Sequence, residues 1–314
     1  MNTAPERTGM NGIDQPGFEA ALSRRAGEVE RVLDALLGPG LLSGEVARPR
    51  ELMAAIRHGV LGGGKRLRPF LVIETAALFD ADGEAALRVA AALECIHCYS
   101  LIHDDLPAMD DDDMRRGRPT VHRAFDEATA ILAGDSLLTF AFDVVADEAT
   151  ALPAETRARL VTKLARAAGM GGMAGGQALD LAAERGKPDE EGIIRLQAMK
   201  TGALIRFACE AGAEIGQAPA ADRERLAEFG SAIGLAFQLA DDLLDATSDA
   251  AALGKAAGKD ADAGKATLVS LHGVEWTRRQ LGGLVDQAAE LLAPFGPKAT
   301  LLKSAARFVA TRSS

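Results

Sequence analysis

From Phe18 onward, apolar residues recur at intervals of three and four, and this spacing is the strongest constraint on the fold. The intervening positions are filled largely by Ala, Leu, Glu and Arg, all of which favour helix. The alternating pattern that would indicate strands is nearly absent. The sequence therefore predicts an all-α protein.

Glycine and proline mark the ends of the predicted helices. A helix over 20–37 ends at Gly38-Pro39-Gly40, and one over 51–61 ends at three consecutive glycines. Pro69 suits the first turn of a helix that continues to Leu78, because its missing N–H has no partner there. Further helices are predicted over 84–105, 125–148, 154–168, 190–215 and 222–245, with the last ones after residue 268.

No change of composition divides the chain, and no fixed-period repeat is present. We therefore expect a flexible lead-in over residues 1–15 and one all-α domain over 16–314, a bundle of roughly ten helices. The glycine-dense stretch GMGGMAGG, residues 169–176, is compatible with a hinge or with a close crossing of helices. A close crossing is the favoured interpretation.

Composition and charge exclude several classes of protein. Apolar residues make up 48% of the 314 positions, which is ample for a core, and the net charge of −10 opposes binding to nucleic acid. Three cysteines cannot form a disulfide framework, and residues 1–15 lack the basic start and the apolar stretch that are typical of a signal peptide. No apolar run approaches the ~18 residues of a membrane helix. We expect a cytoplasmic protein without a membrane span.

Two acidic clusters stand out, HDDLPAMDDDD over 103–113 and DDLLD over 241–245. Each closes an apolar helix, where the helix dipole already concentrates negative charge, so a cation is needed to offset the repulsion. Asp241 and Asp245 are four residues apart and share a helix face, whereas Asp104 and Asp110 need a distorted turn at Pro107. All-carboxylate sites suit Mg²⁺ together with a phosphate ester. The alternative is a pair of solvated acidic loops.

Basic residues lie beside these carboxylates. Three are in GGGKRLRP (Lys65, Arg66, Arg68), and three follow the first acidic run (Arg115, Arg116, Arg118). In an acidic protein this placement favours a phosphate-rich anion bridged by metal, although each cluster alone would be ordinary surface. Cys95 and Cys98 form a CxxC pair, but it lies on a predicted buried helix and has no second pair, so core packing is favoured over zinc.

The chain resembles the trans-isoprenyl diphosphate synthases, in particular the bacterial farnesyl diphosphate synthase group, from about residue 18 to 312. The matching blocks, in order, are GGGKRLRP, ECIHCYSLIHDDLPAMDDDDMRRGRPTVH, AILAGDSLL, GGQALDL, KTGALI, FQLADDLLD, and LGK followed by GKATL. The resemblance implies a single-domain helical bundle in which the two Asp-rich runs face each other across a deep central cavity. One departure is Val269-Ser270-Leu271, where close relatives usually have Tyr-Pro.

The resemblance also implies the site residues. The first aspartate motif comprises Asp104, Asp105 and Asp110, and the second comprises Asp241, Asp242 and Asp245. Asp104 and Asp110 are expected to bind two Mg²⁺ and Asp241 a third, with Asp105 and Asp245 as further ligands; Mn²⁺ would serve as a substitute. The residues expected to grip the allylic diphosphate are Arg115, Lys200, Thr201, Gln238 and Lys255. Those expected to hold isopentenyl diphosphate are Lys65, Arg68, His97 and Arg116, while Lys265 would help to close the site.

For Thr201, Gln238 and His97 the alternative is a satisfied polar group within the core. The implied reaction joins isopentenyl diphosphate to dimethylallyl or geranyl diphosphate, giving farnesyl diphosphate and free diphosphate. Tyr99 and Ser100, just before the first motif, would set the product length; Tyr99 could also be ordinary core. Residues 259–264 would form a mobile flap over the diphosphates.

Several alternatives remain at this point. A geranyl or geranylgeranyl diphosphate synthase shares the motifs, a class I terpene cyclase shares the acidic helices, and a catalytically silent partner subunit would share the fold. The resemblance further implies a homodimer.

Overall fold

The computed structural model describes residues 15–183, 186, 188–251 and 267–311. Its helices are α1 (Gln15–Leu36), α2 (Arg50–Val60), α3 (Leu67–Ala77), α4 (Gly83–Asp104), α5 (Val121–Ala124), α6 (Glu127–Ala146), α7 (Ala154–Ala168), α8 (Met173–Ala183), α9 (Glu190–Gln197), α10 (Ala203–Ile215), α11 (Ala220–Ala251), α12 (Leu268–His272), α13 (Val274–Leu291) and α14 (Thr300–Thr311). A π-helical turn (Ala198–Gly202) separates α9 from α10, and a 3₁₀ segment (Ala293–Ala299) precedes α14. The prediction of an all-α protein is confirmed. The predicted lead-in lies outside the described residues up to position 14.

A single antiparallel pair of two-residue strands interrupts the helices in the described part of the chain: β1 (Met114–Arg115) and β2 (Arg118–Pro119). Arg116 and Gly117 connect them, with φ of 52° and 74°. Positive φ at both central residues is what a two-residue turn between antiparallel strands requires. The arginines of this hairpin have different partners: Arg115 contacts Asp105, Arg116 contacts the Gly63 carbonyl and Arg118 contacts His58.

Helix α4 lies at the centre of the molecule. It packs against α1, α3, α6 and α10, and nearly all of its apolar side chains are buried. The buried apolar residues of the described chain form one continuous cluster, from Phe18 to Val309. Because α4 has so little polar face, it is held on all sides, and its C-terminal end is fixed in position. That end is the first acidic run.

Two helices, α4 and α6, reach the length and hydropathy of a membrane span, with mean hydropathy of 1.4 and 1.5. This differs from the expectation drawn from the sequence. In α4, 67% of the apolar window is buried inside the molecule, as in the core helix of a bundle, but in α6 only 39% is buried. Helix α6 thus has an apolar face that the described part of the chain does not cover.

The glycine-rich stretch contains a close crossing of backbones, as favoured from the sequence. A Cβ placed on Gly176 would overlap the backbone N and Cα of Lys200. Only glycine lets α8 approach the turn Ala198–Gly202 this closely. Neither α8 nor the π-helical turn is among the predicted elements, and the turn divides the single helix expected over 190–215.

We predict that Gly176→Ala lowers the free energy of unfolding by about 1–3 kcal/mol, since the added methyl group must push two backbones apart. Thermal or urea unfolding of the purified protein measures the change. Gly171→Ala is the matched control: Gly171 lies in the same stretch, and a methyl group on its Cα would have no neighbour within 4 Å. Equal stability of the two variants would contradict the crossing.

Candidate active site

The first acidic run folds back over the end of α4. The Asp110 amide donates to the Asp104 carbonyl at 2.8 Å, and the Asp112 amide donates to the Asp105 carbonyl at 3.2 Å. Pro107 and Ala108 are exposed on the outside of this turn. The distorted turn expected from Pro107 is therefore present, and it brings Asp110 back toward Asp104.

The carboxyl group of Asp104 is in an unfavourable electrostatic environment. Burial, together with the charges of Asp110 and Asp105, raises its pKa to about 6, against an ordinary value of 3.8. Lys200 and Arg115 oppose this rise but do not cancel it. A carboxyl group with a raised folded-state pKa destabilises the fold as the pH rises from about 4 through about 6. A bound cation would reverse that effect.

Asp105 has a different partner. Its carboxylate accepts from Arg115 Nε at 2.8 and 3.0 Å and lies 2.6 Å from Arg115 Nη2. Burial raises the pKa of Asp105, and the hydrogen bonds to Arg115 oppose the shift. Arg115, expected to grip the allylic diphosphate, is thus held beside the first motif by Asp105.

Three residues predicted to hold isopentenyl diphosphate are brought close together. Arg68 Nη1 lies 3.4 Å from His97 Nε2, and burial with the charges of Arg68 and Arg116 holds the pKa of His97 well below its usual value. A neutral imidazole accepts from Arg68, so Nδ1 carries the proton in this arrangement. Arg116 reaches across to donate to the Gly63 carbonyl. Lys65, the fourth residue of the set, is exposed, with Nζ 5.5 Å from the centre of the Phe308 ring.

Arg66 points into the core rather than toward a ligand. Its side chain is fully buried, with Nη1 2.6 Å from Glu94 Oε1 and Nη2 2.6 Å from the Val60 carbonyl. The sequence pattern groups Arg66 with the basic residues that face a phosphate-rich anion, and for Arg66 that interpretation is wrong. Its φ of 50°, directly before α3, turns it away from its neighbours.

The π-helical turn Ala198–Gly202 connects the two acidic motifs. Lys200 is close enough to Asp104 to lower its pKa, and Lys200 Nζ lies 2.6 Å from Asp180 Oδ2 on α8. Just before the turn, Gln197 Nε2 donates to Asp242 Oδ2 of the second motif at 2.9 Å. π-helical turns often mark functional positions, because the extra residue redirects side chains. Here the turn packs between α8 and α11.

Asp180 and Gln197 are site residues that the sequence did not single out. Asp180 belongs to the block GGQALDL, which could have indicated it. Gln197 precedes KTGALI and lies in no recognisable motif. Only its contact with the buried Asp242 identifies it.

A cavity of about 420 Å³ is lined by residues of α3, α4, α8 and the π-helical turn. Its walls include Tyr99, Ser100 and Asp104 from α4, and Lys200 and Thr201 from the π-helical turn. Arg68 and His97 line the same cavity. Tyr99 is 9% exposed, and its ring packs edge-on against His103 with centroids 5.8 Å apart.

The second motif lies on α11. Asp242 is buried, Asp241 and Gln238 are half-buried, and Asp245 is exposed. Among the described residues, no three His, Cys, Asp or Glu side chains lie close enough to form a metal cage on their own. Cys95 and Cys98 are free thiols buried in the core. The predicted ligands Lys255 and Lys265, and the flap over 259–264, lie outside the described residues.

Arg66 and Glu94 form a buried pair, so we predict that Arg66→Met lowers the free energy of unfolding by about 3–5 kcal/mol, because it leaves a buried carboxylate without its partner. In the double variant Arg66→Met/Glu94→Leu most of the stability should return. Urea unfolding of both variants tests this. A double variant no more stable than the single one would show that Arg66 acts through some other contact.

Comparison with known proteins gives a consistent result. Residues 49–291 match the polyprenyl synthetase family. The chain is 43% identical over 247 residues to the farnesyl diphosphate synthase of Escherichia coli, covering 77% of this chain and 81% of the relative. It is 41% identical over 300 residues to geranylgeranyl pyrophosphate synthase 9 of Arabidopsis thaliana, covering 94% and 81%.

The fold matches as well. The structure superposes on an FPP/GFPP synthase from Zymomonas mobilis with a TM-score of 0.83 and 45% identity, covering 95% of this chain and 100% of the other. The family match spans well over half of the chain, and it includes the first and second acidic runs and the π-helical turn between them. This chain belongs to the polyprenyl synthetase family of prenyl-transferring enzymes.

Proposed function

We propose that this protein joins isopentenyl diphosphate to an allylic diphosphate, dimethylallyl or geranyl, and releases free diphosphate. The observation that carries the proposal is the arrangement around one cavity. Arg68 and His97 line it beside Asp104, and Lys200 lines it from the π-helical turn. Basic side chains thus lie on two sides of Asp104, and this arrangement suits a reaction between two diphosphates.

The residues present fit Mg²⁺. The donors are carboxylate oxygens, and the raised pKa of Asp104 indicates a carboxylate that lacks a compensating cation. Because no three described side chains form a closed cage, the ions would be held by Asp104 and Asp110 on one side and Asp241 on the other, with water and phosphate oxygens completing the shell. Asp105 and Asp245 are further candidate ligands. When bound, Mg²⁺ would neutralise charge on the departing diphosphate.

The chain's own cations would support the same step. Lys200 and Arg115 would stabilise the negative charge that develops on the leaving diphosphate, with Thr201 and Gln238 as neutral hydrogen-bond partners. Opposite charges 4 Å apart attract by about 4 kcal/mol at an effective dielectric constant of 20. Several such contacts would therefore raise the reaction rate by many powers of ten. Asp180 would keep Lys200 in place through its 2.6 Å contact.

The second diphosphate would bind on the opposite side. Lys65, Arg68 and Arg116 would hold isopentenyl diphosphate, and the neutral His97 would orient Arg68 through the 3.4 Å contact. The C–O bond of the allylic diphosphate would break first, and the double bond of isopentenyl diphosphate would then attack the allylic cation. The released diphosphate would accept the proton that is lost. No side chain of the protein has to act as a nucleophile.

The first experiment is incubation with geranyl diphosphate in Mg²⁺, with and without isopentenyl diphosphate, followed by chromatography. We expect product only when both substrates are present, and none after chelation of the metal. A terpene cyclase would consume geranyl diphosphate alone, and a silent subunit would consume neither substrate.

A paired variant tests the acidic motifs. Asp241→Asn should lower turnover at least about 100-fold, because the reaction would lose part of its charge stabilisation, while the protein stays folded. Asp286→Asn, on the exposed face of α13, is the matched control and should retain full activity.

Farnesyl diphosphate is the product we propose, with geranylgeranyl or geranyl diphosphate as the alternatives. Tyr99 lies in the cavity wall one turn before the first motif and packs against His103. A bulky ring there would block a growing tail, and Ser100 beside it leaves less obstruction. The relatives named above carry both farnesyl and geranylgeranyl names, so membership of the family does not by itself fix the product length.

Tyr99→Ala should therefore lengthen the product beyond fifteen carbons, since the cavity gains the volume of the ring. Tyr99→Phe is the control and should keep the original length. Chromatography of the dephosphorylated products measures the chain length. An alanine variant that still stops at fifteen carbons would remove Tyr99 from this role.

The protein is also proposed to act as a homodimer in the cytoplasm. Helix α6 exposes Ile131 and Leu132, which are 45% and 55% accessible, and the loop between α1 and α2 exposes Leu41, Leu42 and Val46. An apolar face of this kind is typical of a subunit interface. A second copy of the chain is the occupant that the family resemblance implies.

Sedimentation velocity tests the dimer. The molar mass obtained for the wild-type protein should be twice the chain mass of 32.7 kDa. The double variant Ile131→Lys/Leu132→Lys should sediment as a monomer, because two charges would be buried at the interface. Met170→Lys, at a residue that is 94% exposed elsewhere, should leave the mass unchanged.

A further inference from the structure

Gln177 is a buried polar residue to which the mechanism above gives no task. It lies on α8 in the wall of the substrate cavity, together with Asp104, Lys200 and Thr201. The residue is 9% exposed, and neither Oε1 nor Nε2 of its amide has a hydrogen-bond partner among the described residues. An amide has an acceptor and a two-proton donor, so both of its functions are unused.

The surroundings of Gln177 favour an apolar residue at this position. Met173, Gln177 and Leu181 follow one another at intervals of four along α8 and line the same cavity, with Ala174 and Ala178 beside them. Residues at this spacing share one helix face. Gln177 is thus the single polar side chain on an otherwise apolar stripe, where methionine or leucine would pack without any unpaired polar atom.

The neighbouring residues identify the part of the cavity concerned. Asp180, three positions further along α8, holds Lys200. Gly176, directly before Gln177, contacts the backbone of Lys200. Gln177 is therefore next to Lys200, one of the residues proposed to surround the departing diphosphate.

A buried amide without a partner costs as much as a lost hydrogen bond, so its presence in this wall needs a partner that the described residues do not supply. The amide dipole offers a negative oxygen to an electron-poor centre. We propose that Gln177 is a catalytic residue whose amide oxygen stabilises the allylic cation during prenyl transfer. This inference rests on the proposed function.

The chemical step is balanced by the two substrates. The C–O bond of the allylic diphosphate breaks, and its electron pair leaves with the diphosphate. Positive charge then spreads over the allylic carbons until the double bond of isopentenyl diphosphate supplies the electron pair for the new C–C bond. Gln177 gains and loses no atom. Its dipole acts beside the apolar side chains of α8, Met173, Ala174, Ala178 and Leu181, where an electrostatic interaction is stronger than in water.

The test uses Gln177→Met, which keeps the length of the side chain and removes its dipole. Turnover with geranyl and isopentenyl diphosphates at saturation should fall about 10- to 100-fold, with little change in KM for isopentenyl diphosphate. The melting temperature of the ligand-free variant should equal or exceed that of the wild type, because two unpaired buried atoms are gone. Leu179→Met, on α8 but outside the cavity lining, is the control and should behave as the wild type.

Calorimetry with two unreactive ligands separates a catalytic role from a structural one. One is geranyl thiolodiphosphate, which resembles the ground state; the other is an ammonium analogue of the geranyl cation, given with Mg²⁺ and inorganic diphosphate. Gln177→Met should bind the first within about 3-fold of the wild type and the second about 10-fold more weakly.

Unchanged turnover of Gln177→Met would overturn the inference, and so would a lowered melting temperature with equal weakening of both ligands. If the wild-type protein forms the prenyl product and Gln177→Met is equally active, this inference fails while the proposed function stands. Wild-type protein that forms no prenyl product would overturn the proposed function and this inference with it.

Discussion

Like charges held at the end of a buried helix are the constraint on which the rest of the site depends. Helix α4 is fixed by apolar contacts on every side, so Asp104 and Asp105 cannot move away from one another or from the helix dipole. Burial raises the pKa of both carboxyl groups; Asp105 has a direct ion pair with Arg115 that opposes the rise, and Asp104 is further affected by Asp110 and Asp105. The apolar core supplies the stability that tolerates this local repulsion, and the repulsion leaves a site ready for cations.

The arginines around this site have two separate tasks. Arg66 and Arg68 are two residues apart in the same motif, but Arg66 is sealed in the core with Glu94, while Arg68 lines the cavity beside His97. The left-handed backbone at Arg66 produces this division, because it reverses the direction of the chain just before α3. One guanidinium group is buried in the core, and the other lies in the cavity wall.

The π-helical turn Ala198–Gly202 couples three parts of the molecule. It is contacted by α8 at Gly176, it places Lys200 between Asp180 and Asp104, and the preceding Gln197 holds Asp242. A regular helix over the same residues would rotate Lys200 and Thr201 by about 100° for the one residue that the wider turn absorbs. The proposed substrate contacts and the backbone packing therefore involve the same five residues.

The sequence by itself determined the all-α class, most helix positions and the two acidic runs, because helical periodicity and motif chemistry are local properties of the chain. It also indicated the close crossing at the glycine-rich stretch. Only the tertiary structure decided that Arg66 faces inward, that a π-helical turn carries Lys200, and that Gln197 holds Asp242. Those outcomes arise from contacts between residues far apart in the chain, and no local pattern encodes which of two similar side chains meets a distant partner.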